Sequence, residues 1–189
     1  IQVGDVITYP DELTVLNGDK YVGRALDNRM GGFMIAQVAR LLRENEVELP
    51  FSLYLVNSVQ EEVGLNGAQM ISRTIAPDAA IVTDVTHDTS TPMIDAKVEG
   101  DIKCGAGPVI SRAPAVQNNL RALILQAARK NEIPYQLAAH SRSTGTDTDA
   151  FAFSGKGIAS ALISLPLRYM HTTVEMVARE DVENTIRLI

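Results

Sequence analysis

A single cysteine, no tryptophan and 5% aromatic residues are what this 189-residue chain has least of. Cys104 has no second thiol to pair with, so an intrachain disulfide and a thiolate zinc site built on CxxC pairs are both excluded. A reducing compartment, the cytoplasm, is the expected location. Positive charge is also scarce: 17 Lys and Arg stand against 23 Asp and Glu, a formal net charge of −6. A broad basic surface for nucleic acid or anionic lipid is therefore not expected. The longest apolar stretches, such as residues 158–167 (IASALISLPL), fall far short of the ~20 residues that span a bilayer. The run GAGP at 105–108 lacks the Lys-Ser/Thr of a phosphate loop, no GxGxxG follows a strand, and no GxSxG elbow is present. The chain opens on IQVGDVITYP without Met, as a chain whose N-terminal portion has been removed would.

What remains is the composition of a folded globular protein, 46% hydrophobic and 21% charged. Its length fits one large domain or two small ones. Residues 1–22 read as short strands broken at Pro10 and Gly18. From Asp27 the pattern turns helical. Met30, Phe33, Met34, Val38, Leu41 and Leu42 lie three and four apart, predicting a helix over about 28–45. The apolar run PFSLYLVNSVQEEVG at 50–64 reads as a buried strand ending in two acids, and GLNGAQMISRTI as a helix. DAAIVTDVTH repeats the layout of an apolar strand ending in acid and His. A helix at 115–131, a strand in IPYQLAAH, a strand in GIASALISLPL and a closing helix in VAREDVENTIRLI complete the chain. Strands alternating with helices predict an α/β fold: a mixed, largely parallel sheet with helices on both faces.

Chemistry in an open α/β sheet gathers at strand ends. Here Asp27 opens the first helix, Glu61 and Glu62 end one strand, Asp84 ends another, and His171 follows the last. Carboxylates with imidazole and no thiolate suit a divalent cation such as Zn, Co or Mn, which also relieves the repulsion among the acids. Taken one at a time, each residue has a structural explanation. Asp27 could cap its helix, Glu61–Glu62 could be a solvated pair, Asp84 could close a turn with Thr86, and His171 could lie on the surface. Their shared position at strand ends favours a metal site. His87 reads as a loop residue near that site, His140 has no partner nearby, and residues 143–149 (STGTDTD) have the content of a turn.

Five separated motifs, GRALDNRMGG, VNSVQEEVGLNGA, AIVTDVTH, GTDTDA and LRYMHTTVE, occur in the order and spacing of one family. From Tyr21 to its end the chain resembles the glutamyl-aminopeptidase family, tetrahedral-assembly aminopeptidases often labelled endoglucanase M. The resemblance implies a metalloaminopeptidase, a hydrolase that removes N-terminal residues from peptides, with two divalent ions per active site. Asp27 would bridge the two ions, Glu62 and His171 would complete one ion's ligands, and Asp84 would bind the other. Glu61 would be the general base and acid, and Thr146 and Asp147 would border the substrate. The family's HxD motif, which carries a further histidine ligand, and most of its inserted β domain have no counterpart here. Residues 1–22 would then be the end of that β domain and 23–189 the peptidase domain, with only one ion fully liganded. Assembly from dimer to dodecamer is also implied. Two alternatives stand beside this reading: a related carboxypeptidase or N-deacylase with two zinc ions, and a non-catalytic fragment lacking the first histidine ligand.

Overall fold

Leu26, Met30, Met34 and Val38, four apart, form one buried stripe along α1 (Leu26–Glu44), as amphipathic spacing requires. The other apolar residues of that helix divide: Phe33 and Leu41 stay exposed. This is a computed structural model; it describes residues 2–8 and 12–189, so the break expected at Pro10 lies outside the described residues.

The chain begins with a hairpin, β1 (Thr14–Leu16) and β2 (Lys20–Gly23). After α1 come α2 (Asn66–Ile75), β3 (Ala79–His87), the short α3 (Ala96–Glu99) and β4 (Val109–Arg112). They are followed by α4 (Asn118–Lys130), β5 (Gln136–Ala139), α5 (Asp147–Ala152), β6 (Ala159–Arg168), β7 (Glu175–Ala178) and α6 (Arg179–Leu188). One seven-stranded sheet runs β1-β2-β7-β6-β4-β5, with β3 paired to β6. It is the mixed α/β sheet expected. The longest ladder, nine residue pairs between β3 and β6, is parallel, as is β4 with β5. The pairings β1/β2, β2/β7, β6/β7 and β4/β6 are antiparallel. The expected boundary at 22/23 falls inside β2, which joins the sheet through β7.

Strand β6 explains the two layers of helix. Side chains alternate across a strand. Ala161, Ile163, Leu165 and Leu167 face one side, where they pack with Leu26, Met30 and Met34 of α1, Ile124 and Ala128 of α4, and Val182 and Leu188 of α6. Leu162 faces the other side, against Ala68 of α2, Val82 of β3 and Phe151 of α5. Buried on both faces, β6 reads as a continuous apolar run, the mark of a central strand.

The strand expected at 50–64 does not form. Residues 51–57 adopt no helix or strand, pair with no strand among the described residues, and leave Phe51 61%, Leu53 46% and Leu55 46% exposed. Apolar content licenses a buried strand only where a neighbour supplies the ladder of hydrogen bonds, and none among the described residues does so there. Four short elements not separated in sequence also appear: α3, β4, β7 and α5, the last overlapping the stretch read as a turn and running past it to Ala152.

Candidate metal centre

Asp27 sits at the entrance of α1, where helix caps are found, yet its side chain makes no cap hydrogen bond. The neighbouring Asn28 takes that role: its Oδ1 accepts from the backbone N–H of Gly31 at 2.9 Å, and its Nδ2 donates to the carbonyl of Thr83 at 2.8 Å. Asp27 and Asn28 have non-helical backbone angles, so the regular turns start after them. A Cβ at Gly31 would lie 2.5 Å from Asn28 Oδ1, which is why the residue there is glycine. With capping assigned to Asn28, the Asp27 carboxylate is left to turn toward the sheet.

Glu61 and Glu62 lie in the turn that leads into α2. Backbone N–H groups of Gly64 and Leu65 donate to the Glu61 carbonyl at 3.1 and 3.0 Å, and Gly67 N–H donates to the Val59 carbonyl at 2.9 Å. A Cβ on Gly67 would come within 2.3 Å of that carbonyl oxygen, so only glycine permits the approach. The turn keeps the two acids in place without a paired strand before them. His171 lies in the turn between β6 and β7 with φ +61°, a left-handed conformation uncommon outside glycine.

Asp27, Glu62 and His171 each offer a ligand atom within 4.8 Å of the others. His171 Nε2 is 3.1 Å from Asp27 Oδ2 and 3.6 Å from Glu62 Oε2. Asp27 is largely buried, whereas Glu62 and His171 face solvent. Three of the five residues expected to converge are thus brought together, from three separate segments. Asp84 and Glu61 lie outside this group but within its electrostatic reach. Burial, then the charges of Glu62 and Glu175, raise the Asp27 carboxyl to about 6, with His171 opposing. Burial, then Glu62, Asp147 and Asp27, raise Glu61 to about 7. Asp84 rises to about 8, mainly because it is buried, even though its Oδ1 accepts from the Val85 N–H at 2.8 Å. The donors fit a divalent ion: two carboxylates and an imidazole suit Zn or Co, and Asp84 adds an acid on the neighbouring strand.

Thr146 caps α5, and its hydroxyl lies within a chain of threonine hydroxyls, 2.9 Å from Thr144 and 3.0 Å from Thr148. Asp147 accepts a short hydrogen bond from Ser58, and its Oδ1 is buried with no hydrogen-bond partner among the described residues. Burial raises its carboxyl. Two participants went unassigned in the sequence. Ser58 carries no local signal. Glu175 does: an acid four residues after His171, inside the apolar run VEMV, is 1% exposed. His87 ends β3 with its Nδ1 buried and without a partner among the described residues. His140 lines a separate cavity of about 460 Å³ with Arg112 and Asn118. Because β4 runs antiparallel to β6, that cavity lies toward the opposite end of the sheet.

A mixed α/β sheet whose connecting segments gather a carboxylate–imidazole cluster is an arrangement suited to a metal-dependent hydrolase. The chain belongs to the M42 glutamyl aminopeptidase family, whose profile matches residues 1–188. It is 35% identical over 187 residues to the lysyl aminopeptidase of Pyrococcus furiosus, covering 99% of this chain and 52% of that protein. Its fold matches a TET aminopeptidase from a marine-sediment Thaumarchaeota archaeon with a TM-score of 0.87 and 31% identity, over 94% of this chain and 50% of that one. It also matches the Pyrococcus horikoshii TET1 peptidase, which can assemble into a tetrahedron or a large octahedral shell. That match has a TM-score of 0.75 and 27% identity, over 95% of this chain and 52% of that one. The chain spans about half the length of the curated relatives it matches.

Proposed function

We propose that this chain carries the catalytic residues of a metal-dependent aminopeptidase, which hydrolyses the N-terminal peptide bond of peptides. The observation that carries this reading is the approach of Asp27, Glu62 and His171 to within 4.8 Å of one another, with Glu61 adjacent in the chain but outside the ligand set. Asp27, Glu62 and His171 would hold one ion, and Asp27 with Asp84 would contribute to a second. When bound, such a cation supplies Lewis acidity to the scissile carbonyl and lowers the pKa of water.

Glu61 is the general base and acid. Next to Glu62 in the chain but outside the ligand set, its carboxylate can take a proton from the attacking water and return it to the leaving amine nitrogen. Asp147 receives the substrate's α-ammonium at its partnerless buried Oδ1, since a buried carboxylate oxygen without a partner is costly. Thr146 holds the loop that presents it. Membership of the M42 family and likeness to aminopeptidases of two archaea support this reading. The fold match to the P. horikoshii peptidase supports a homo-oligomer, dimer to dodecamer. The free thiol of Cys104 supports a cytoplasmic location. Among the described residues no helix is long and apolar enough to cross a membrane.

The test is release of amine from a panel of aminoacyl anilides by the chelator-stripped chain after addition of Zn, Co or Mn. Metal-restored turnover is expected, and Glu61→Gln lowers it by ~100-fold or more while metal stoichiometry is unchanged. Turnover that ignores metal, or preference for substrates with a blocked amine, overturns the aminopeptidase. Bound metal without turnover makes the chain a metal-binding module.

A further inference from the structure

Glu175 is the first residue of β7, in register with Gly23 of β2, and its side chain is 1% exposed. A carboxylate this deep needs partners that satisfy both oxygens. Those partners are two backbone amides: Oε1 accepts from the N–H of His171 at 2.7 Å, and Oε2 accepts from the N–H of Asp27 at 3.1 Å. The two residues belong to segments 144 positions apart in the chain, 27 and 171, and they present the atoms that meet at 3.1 Å. Hydrogen bonds to a charged acceptor are roughly twice as strong as neutral ones. One of them holds His171 in its left-handed backbone conformation.

The charge of Glu175 works against the cluster it adjoins. It adds to the burial and repulsion that push the Asp27 carboxyl upward. A neutral hydrogen-bonding residue would avoid that cost, but a glutamine has one accepting oxygen and would turn its amide N–H₂ toward a second N–H donor. Only a carboxylate accepts both amides.

We infer that Glu175 is the positioning residue of the Asp27–Glu62–His171 cluster. It clamps the backbones of Asp27 and His171 so that their side chains converge on one cation. The inference rests on the metal reading of that site. Glu175 itself contributes no ligand atom to the group.

The experiment measures Zn²⁺ affinity of the chain by competition with a chromophoric chelator, together with the visible absorption of the Co²⁺-loaded chain and the far-UV circular dichroism of the stripped chain. Glu175→Gln is expected to keep the dichroism spectrum, to lose ~10–100-fold in Zn²⁺ affinity, as changes to residues supporting metal ligands do, and to shift the Co²⁺ band. Glu175→Asp keeps the charge but retracts the carboxylate by one methylene, so it cannot reach both amides. It should show the same loss, and it carries the test if the glutamine variant does not fold. Unchanged affinity and an unchanged Co²⁺ band in the folded variants overturn the role of Glu175 while leaving the metal site standing. A wild-type chain that binds neither Zn²⁺ nor Co²⁺ overturns the metal reading and this inference with it.

Discussion

Two apolar runs that end in acids have opposite fates in this protein. Residues 79–87 become β3, paired along nine positions with β6 and carrying a buried Asp84. Residues 51–60 lead to Glu61 and Glu62 yet form no helix or strand, stay unpaired among the described residues, and are exposed at Phe51, Leu53 and Leu55. Composition does not separate them, because both alternate or cluster apolar side chains before their acids. Pairing does: β3 lies against β6, a strand that is apolar on both faces. A strand is a property of two segments, and a run without a partner keeps its local conformation but buries nothing. The acids of the second run are nonetheless held, by backbone bonds from the start of α2 rather than by a ladder.

The largest expected effect comes from the paired side. Leu165 lies opposite Val85 and is 0% exposed; Leu165→Ala should destabilise the chain by ~2–5 kcal/mol, read from the urea midpoint. A loss under 1 kcal/mol would mean that β3 and β6 do not share the close-packed core described here. Next is the buried acid within β3. Asp84 is raised to about 8, far above the ~3.9 of an unfolded aspartate. The native state therefore binds the extra proton, and the metal-free chain loses stability as pH rises from about 4 through about 8. Asp84→Asn keeps an acceptor for the Val85 N–H and removes the buried charge. Without metal it should gain on the order of 1–3 kcal/mol over the wild type at pH 9 and little at pH 5, read from melting curves across pH. A difference that does not grow with pH would show that Asp84 carries no buried charge. The smallest effect belongs to the unpaired run: Leu53→Ser should change stability by no more than ~0.5 kcal/mol, as exposed positions do. A loss comparable to that of Leu165→Ala would mean that residues 51–57 are buried in solution, and the contrast between the two runs would vanish.

The same division marks what could be read at the site. The types were legible: carboxylates at Asp27, Glu61, Glu62 and Asp84 and the imidazole of His171, without thiolate, suit a divalent cation. The division of labour between neighbours was not. Asp27 stood where a helix cap belongs, and only the structure shows Asn28 capping through Gly31. Glu175 sits four residues beyond His171, but nothing in VEMV tells that its two oxygens reach amides on either side of the site. The expectation that strand ends gather chemistry also holds unevenly. The turn after β6 carries His171, but Asp84, expected to end its strand, lies inside β3 three residues before His87 and outside the three-residue group. β4 and β5 run the other way, and carry His140 to a different cavity.

Sequence by itself determined the class of fold, most of its helices and strands, and the kind of ion its acids suit. Each of these follows from periodicity and residue chemistry, which act over a few neighbours. Tertiary structure decided which apolar run became a strand, and which of two adjacent residues capped α1. It also decided how residues 27, 62 and 171 came within 4.8 Å of one another. Those outcomes depend on hydrogen-bond partners supplied from distant parts of the chain. A buried polar group is stable only when such a partner arrives, and it is the packing of the sheet that brings it.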